Sequence, residues 1–221
     1  KSRALIYFPM DKITQDRNNG ILPSSGSLNF YLNMFNARHS ELQARNFTLI
    51  IAPVSSSWDE GVGLDFETYQ DESAVNWISS SEGIVWTNPG GDYLTGSSYL
   101  SYVKTQSFSN GLEDLEVNIT NIVEDWIKGT SNGGINNYGL GIFLTSSQEN
   151  SLTTSYYVKK FFGRGTEFFY KQPMIEARFN NSKKDNRGNF YYSSSLLTAE
   201  ENMQKLYLHN IVRGKYRNIP G

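Results

Sequence analysis

Apolar and polar positions alternate at several places along this chain. In residues 28–35 (LNFYLNMF), Leu28, Phe30, Leu32 and Met34 interleave with Asn29, Tyr31, Asn33 and Phe35. A period of two puts the first set on one face of a half-buried strand. Residues 4–10, 47–53, 100–107, 112–119, 140–144, 156–162, 167–170 and 174–179 supply further strand candidates. One segment breaks the alternation. Ile119, Ile122, Val123, Trp126 and Ile127 follow helical spacing, which predicts one short helix over residues 119–128. Thr120 is its expected N-cap and Gly129 its expected stop.

Turn chemistry punctuates these segments. Residues 16–27 (DRNNGILPSSGS), 87–91 (TNPGG) and 131–138 (SNGGINNY) are rich in Gly, Pro, Asn and Ser. Gly163-Arg164-Gly165 reads as a hairpin turn between two aromatic strands. After residue 179 the texture changes to a polar run, residues 180–189 (NNSKKDNRGN), followed by short strand candidates at 190–195 and 205–211. The expected organisation is a β-sandwich over residues 1–180. Residues 181–221 then form a linker and a C-terminal β extension or the start of a second β domain, because forty residues are few for an independent core.

Composition agrees with this pattern. The 221 residues include 14 Tyr, 13 Phe and 4 Trp, and 26 Ser, 22 Asn and 19 Gly make up nearly a third of the chain. Aromatic strands separated by Ser, Asn and Gly turns are the make-up of all-β sandwiches. Charge narrows the function classes. With no Cys there is no thiol nucleophile, disulfide or thiolate metal site, and the only histidines, His39 and His209, lie far apart. A formal charge of −2 argues against a nucleic-acid partner, and no apolar run approaches the roughly 18–20 residues that cross a bilayer. The first residues, Lys1 to Leu5, lack a signal-peptide pattern, so no leader is expected and a fragment of a longer chain remains open.

Candidate chemistry is sparse. Asp59/Glu60, Asp65/Glu67, Asp71/Glu72 and Glu113/Asp114/Glu116 are near pairs of carboxylates that a glycosidase or a calcium site could use. Sequence adjacency establishes neither, since neighbours on a strand face opposite sides. Solvated turns are the expectation, with no cofactor and calcium left open. His39 and His209 are expected to be ordinary loop histidines. Gly61-Val62-Gly63 lacks the third glycine of a dinucleotide loop. The aromatics offer more, because sugars stack their C–H faces on exposed rings. Trp77, Trp86, Tyr93, Tyr99 and Tyr102 are the candidate glycan or partner contacts, with Trp58 beside them. In the competing assignment Trp58, Trp86 and Trp126 anchor the core, together with Ile122. The sequons at Asn46, Asn118 and Asn180 are near chance in so Asn- and Ser-rich a chain.

The order of several motifs resembles a known family. Residues 3–8 (RALIYF), 26–31 (GSLNFY), 57–61 (SWDEG), 116–129 (EVNITNIVEDWIKG), 137–140 (NYGL) and 172–177 (QPMIEA) are similar to successive elements of the DNRLRE-type β-sandwich domain. Gln172 stands where that family usually has Arg, and Asn118 where Asp is more usual. The resemblance covers residues 1 to about 179 and implies a jelly-roll-like sandwich related to carbohydrate-binding modules, without catalysis. Residues 162–170, 184–190 and 206–213 resemble stretches of tailed-bacteriophage virion proteins, in which an Ig-like domain follows the sandwich. The expected role is a virion structural or appendage protein, oligomeric, contacting other virion subunits or cell-surface polysaccharide. The alternative is a polysaccharide-binding module of a secreted bacterial protein.

Overall fold

Strand β2 (Leu28–Met34) buries the face that its alternation marks, and two antiparallel partners flank it. It pairs with β7 (Leu115–Asn118) on one side and β9 (Met174–Phe179) on the other, with Leu32 opposite both Val117 and Ile175. A second antiparallel sheet has the order β1 (Ala4–Ile6), β8 (Leu140–Leu144), β3 (Phe47–Pro53), β6 (Lys104–Phe108). The computed structural model describes residues 2–40, 42–63, 71, 73–151, 158–180, 193–204, 206, 210–212 and 215–217.

The inner faces of both sheets meet in one core. Phe30 and Leu32 of β2, Leu49 and Ile51 of β3, Phe108, Leu115, Leu140 and Ile142 all join it. The result is an all-β sandwich, each sheet contributing every second side chain of its strands. Helix α2 (Thr120–Lys128) packs Ile122, Val123 and Trp126 into the same cluster. Its start differs from the expected one. Ile119 occupies the cap position, and Thr120 is the first helical residue. The Thr120 hydroxyl is already committed, accepting from the Phe30 N–H at 2.9 Å and donating to Asn118 Oδ1 at 2.7 Å. Gly129 follows the helix at φ 67°.

Two further helices were absent from the pattern. Helix α1 (Asp11–Asn18) is polar and buries no residue completely, so no stripe advertises it. It is tied to α2 by Arg17, which donates to both carboxylate oxygens of Glu124 at 3.2 and 2.8 Å. Helix α3 (Ser146–Glu149) is one turn. Several expected strands are also shorter or missing. Residues 97–102 coil as a 3-10 turn that stacks Tyr99 on Tyr102, so β6 starts only at Lys104. Residues 169–171 form another 3-10 turn rather than a strand, and of the expected strand over 156–162 the described part makes only isolated bridges at Val158 and Phe161. Gly163-Arg164-Gly165 therefore joins no hairpin. A small hairpin, β4 (Ser79–Ser81) with β5 (Ile84–Val85), lies in the long connection before β6.

Compactness divides the chain into Lys1–Phe179 and Asn180–Gly221. In the second unit β10 (Asn210–Val212) pairs antiparallel with β11 (Lys215–Arg217). The strand expected over 205–211 thus begins at Asn210 among the described residues.

Candidate functional site

The outer face of the four-stranded sheet is not left to solvent. Ile51 and Ile142 point into the core, so Ala52 and Gly141, each next in sequence and paired in register, face outward. Ala52 is nevertheless completely buried. The connection after β3 folds back over it, and Val54 bridges Tyr93. The Tyr93 ring packs against Phe143 with centroids 4.7 Å apart and lies over Gly141, where an added Cβ would run into it. Gly141 is thus the residue that lets an aromatic ring approach the sheet this closely.

The loop at residues 87–91 is shaped by one carboxylate. Asp92 accepts from the backbone N–H of Thr87 and of Asn88, each at 2.9 Å, and from the Asn88 side chain at 3.2 Å. Burial works against the Asp92 charge, but these donors outweigh it and hold its pKa below the ordinary carboxylate value. Gly90 sits at φ 95°, a conformation that favours glycine, and a Cβ there would fall 2.9 Å from the Trp77 ring. Its N–H donates to the Trp77 carbonyl at 2.6 Å.

Arg3 binds the pieces together. It lies just before β1, and its guanidinium centres 5.1 Å from the Trp77 ring, 5.5 Å from Tyr93 and 4.9 Å from Phe143. It forks onto Glu149 of α3 at 2.7 and 2.6 Å and donates to the Gly90 carbonyl at 3.2 Å. The Glu149 hydrogen bonds raise the Arg3 pKa against the opposing effect of burial. Burial likewise pushes the Tyr93 phenol up, with Arg3 opposing.

Around this scaffold Arg3, Trp58, Glu60, Trp77, Trp86 and Tyr93 line an open cavity of about 360 Å3. A second, of about 320 Å3, is lined by Tyr7, Ser57, Trp58, Glu60, Asn137 and Tyr138. Both lie at the low end of the range for small-molecule pockets, about 300–1,000 Å3. Trp58 is half-buried and outside the core cluster, and its indole N–H donates to the Tyr138 carbonyl at 2.8 Å. Trp86 is buried, with its N–H on the Asn76 carbonyl at 3.0 Å. Glu60 is exposed and pairs with exposed Arg164 at 3.1 Å.

Of the residues singled out by sequence, Trp77, Trp86 and Tyr93 converge here with Trp58. Tyr99 and Tyr102 do not. Tyr102 donates to Asp125 of α2 at 2.6 Å, a hydrogen bond that carries its pKa up to about 12. Trp126 and Ile122 belong to the core, as expected of anchors. Arg3, Tyr7 and Tyr138 gave no sequence signal, because Arg3 meets Gly90 across 87 positions and Glu149 across 146.

The other candidate groups are occupied locally. Asp59 accepts from the Gly61 N–H, and Asp71 accepts from Gly63 and Ser73, the Gly63 bond contributing most to its lowered pKa. The Asn110 N–H, above all, draws Glu113 down to about 2, with Ser109 assisting. Asp65, Glu67, Glu72 and His209 lie outside the described residues. His39 is half-buried rather than fully exposed. Among the described residues no three His, Asp or Glu side chains gather to hold a metal ion, and no helix is long and apolar enough to cross a membrane. No protein-family model, curated protein or solved structure matches the chain.

Proposed function

We propose that this chain is a non-catalytic structural or appendage subunit of a tailed-phage virion, and that its sandwich uses the aromatic cavity to contact carbohydrate on a host surface. The observation that carries the carbohydrate part is the meeting of Trp58, Trp77, Trp86 and Tyr93 around one open cavity. Aromatic faces bordered by a few polar groups suit a sugar, whose ring offers C–H faces and hydroxyls together. Non-catalysis is supported by the carboxylates. Asp71, Asp92 and Glu113 are held ionised by backbone donors, which disfavours the protonated form that a general acid needs. The virion setting rests on the resemblance of residues 3–177 to DNRLRE-type domains and of residues 162–213 to phage virion stretches. The same resemblance supports the alternative, a polysaccharide-binding module of a secreted protein.

Affinity electrophoresis of the full chain against soluble polysaccharides tests the binding. Retardation weakened about tenfold, about 1.4 kcal/mol, by Trp77→Ala or Trp58→Ala supports the proposal, and unchanged retardation in both overturns it. Chain length of the bound polysaccharide should stay constant. Recovery of the chain in a purified multi-subunit particle separates the virion setting from the secreted one, and light scattering checks the expected homo-oligomer.

A further inference from the structure

We infer that the two cavities form one groove with two ring-binding positions, and that its ligand is a neutral or amine-bearing oligosaccharide rather than a polyuronate. The inference rests on the carbohydrate reading above and narrows it. Both cavities are lined by Trp58 and Glu60, so one indole is the common wall between them. On one side stand Trp77 and Trp86. On the other stand Tyr7 and Tyr138, with the Ser57 hydroxyl beside them. An aromatic surface on each side of Trp58 suits successive rings of a chain better than a single sugar.

Charge selects the class of sugar. A uronate needs a cation whose charge is not already paired, and Arg3 is not one: Nε and Nη2 fork onto the Glu149 carboxylate, which offsets its charge, and Nη1 donates to the Gly90 carbonyl. The other charged side chain lining the cavities is Glu60, which is 63% exposed and can only accept. It would repel a sugar carboxylate and receive a hydroxyl or an ammonium. Arg164, which faces Glu60 at 3.1 Å, lines neither cavity.

The test is an array of neutral, amino and uronate glycans from monomer to tetramer, probed with the full chain and followed by calorimetry on the best binder. Neutral or amino tetramers should bind at least about tenfold tighter than their monomers. Tyr7→Ala, at a side chain already 53% exposed, should erase most of that length gain. Glu60→Gln should raise uronate binding severalfold. Binding confined to uronates overturns the inference and leaves the carbohydrate reading intact, as does an affinity indifferent to chain length or to Tyr7→Ala. Silence across the whole array overturns both.

Discussion

Two tryptophans, Trp126 and Trp58, show how differently two regions of this sandwich are held. Trp126 lies in the core cluster at 6% exposure, and its indole N–H meets no acceptor among the described residues. Packing alone keeps it there. Trp58 lies outside that cluster, half-buried, fixed by one hydrogen bond to the Tyr138 carbonyl. Around it the order comes from polar links: the Arg3 fork, the Asp92 turn and the Gly90 contacts. Close packing fills space, whereas a hydrogen-bonded frame can hold aromatic rings apart and leave a cavity between them.

The largest expected break in that contrast is Trp126→Ala, which should cost about 3–5 kcal/mol by urea unfolding. Trp58→Ala should cost less than half of that, because less of its surface leaves water on folding. Equal losses would mean that both regions are packed alike. Next comes Arg3→Ala, at about 1.5–3 kcal/mol for a lost charged hydrogen-bond set, with an altered near-UV spectrum as Trp77 and Tyr93 lose their cover. Arg3→Lys should not restore it, since an ammonium cannot fork onto Glu149. Gly141→Ala should cost about 1–3 kcal/mol by forcing Tyr93 off the sheet, and Tyr93→Ala in the same chain should relieve part of the penalty. Trp58→Phe should cost only about 0.5–1.5 kcal/mol, the value of its one hydrogen bond.

Acid should loosen the hydrogen-bonded turns. The Glu113 pKa falls from its ordinary 4.5 to about 2 in the folded chain. The folded state therefore binds fewer protons than the unfolded one across that window. The stability Glu113 contributes is complete above about pH 4.5 and disappears as pH falls toward 2. Glu113→Gln should flatten that limb of the stability curve by lowering stability at neutral pH while leaving it nearly unchanged near pH 2. An acid limb of the same steepness in the variant would contradict the assignment.

How far the sequence foretold the molecule depends on the same contrast. Strands β2, β3, β8 and β9 and helix α2 were legible because one face of each enters a common core, and burial imprints a period on the residues. Helix α1 was not, since its hold on the fold is the Arg17–Glu124 pair and no apolar stripe. The strand expected over 100–107 takes in the end of the 3-10 turn at Ser97–Tyr102, because residues 100–102 fit either form. In the candidate site, residue type alone drew attention to Trp77, Trp86 and Tyr93. What joins them could not be read locally, because it depends on an arginine at position 3 and a glutamate at position 149. Tyr99 and Tyr102 had the same composition signal and serve α2 instead.

The pairing of β2 with β9 sets a schedule for making the protein. Leu28 lies opposite Phe179, so the central strand of its sheet waits for the last strand of the unit to be synthesised. At about 5–20 residues per second, Phe30 and Leu32 pass many seconds with that edge unpaired. Pairings this distant in sequence favour refolding in milliseconds to seconds rather than microseconds. A ribosome stalled before residue 174 would carry an open, apolar strand edge, the form of this chain most prone to pair with another copy of itself.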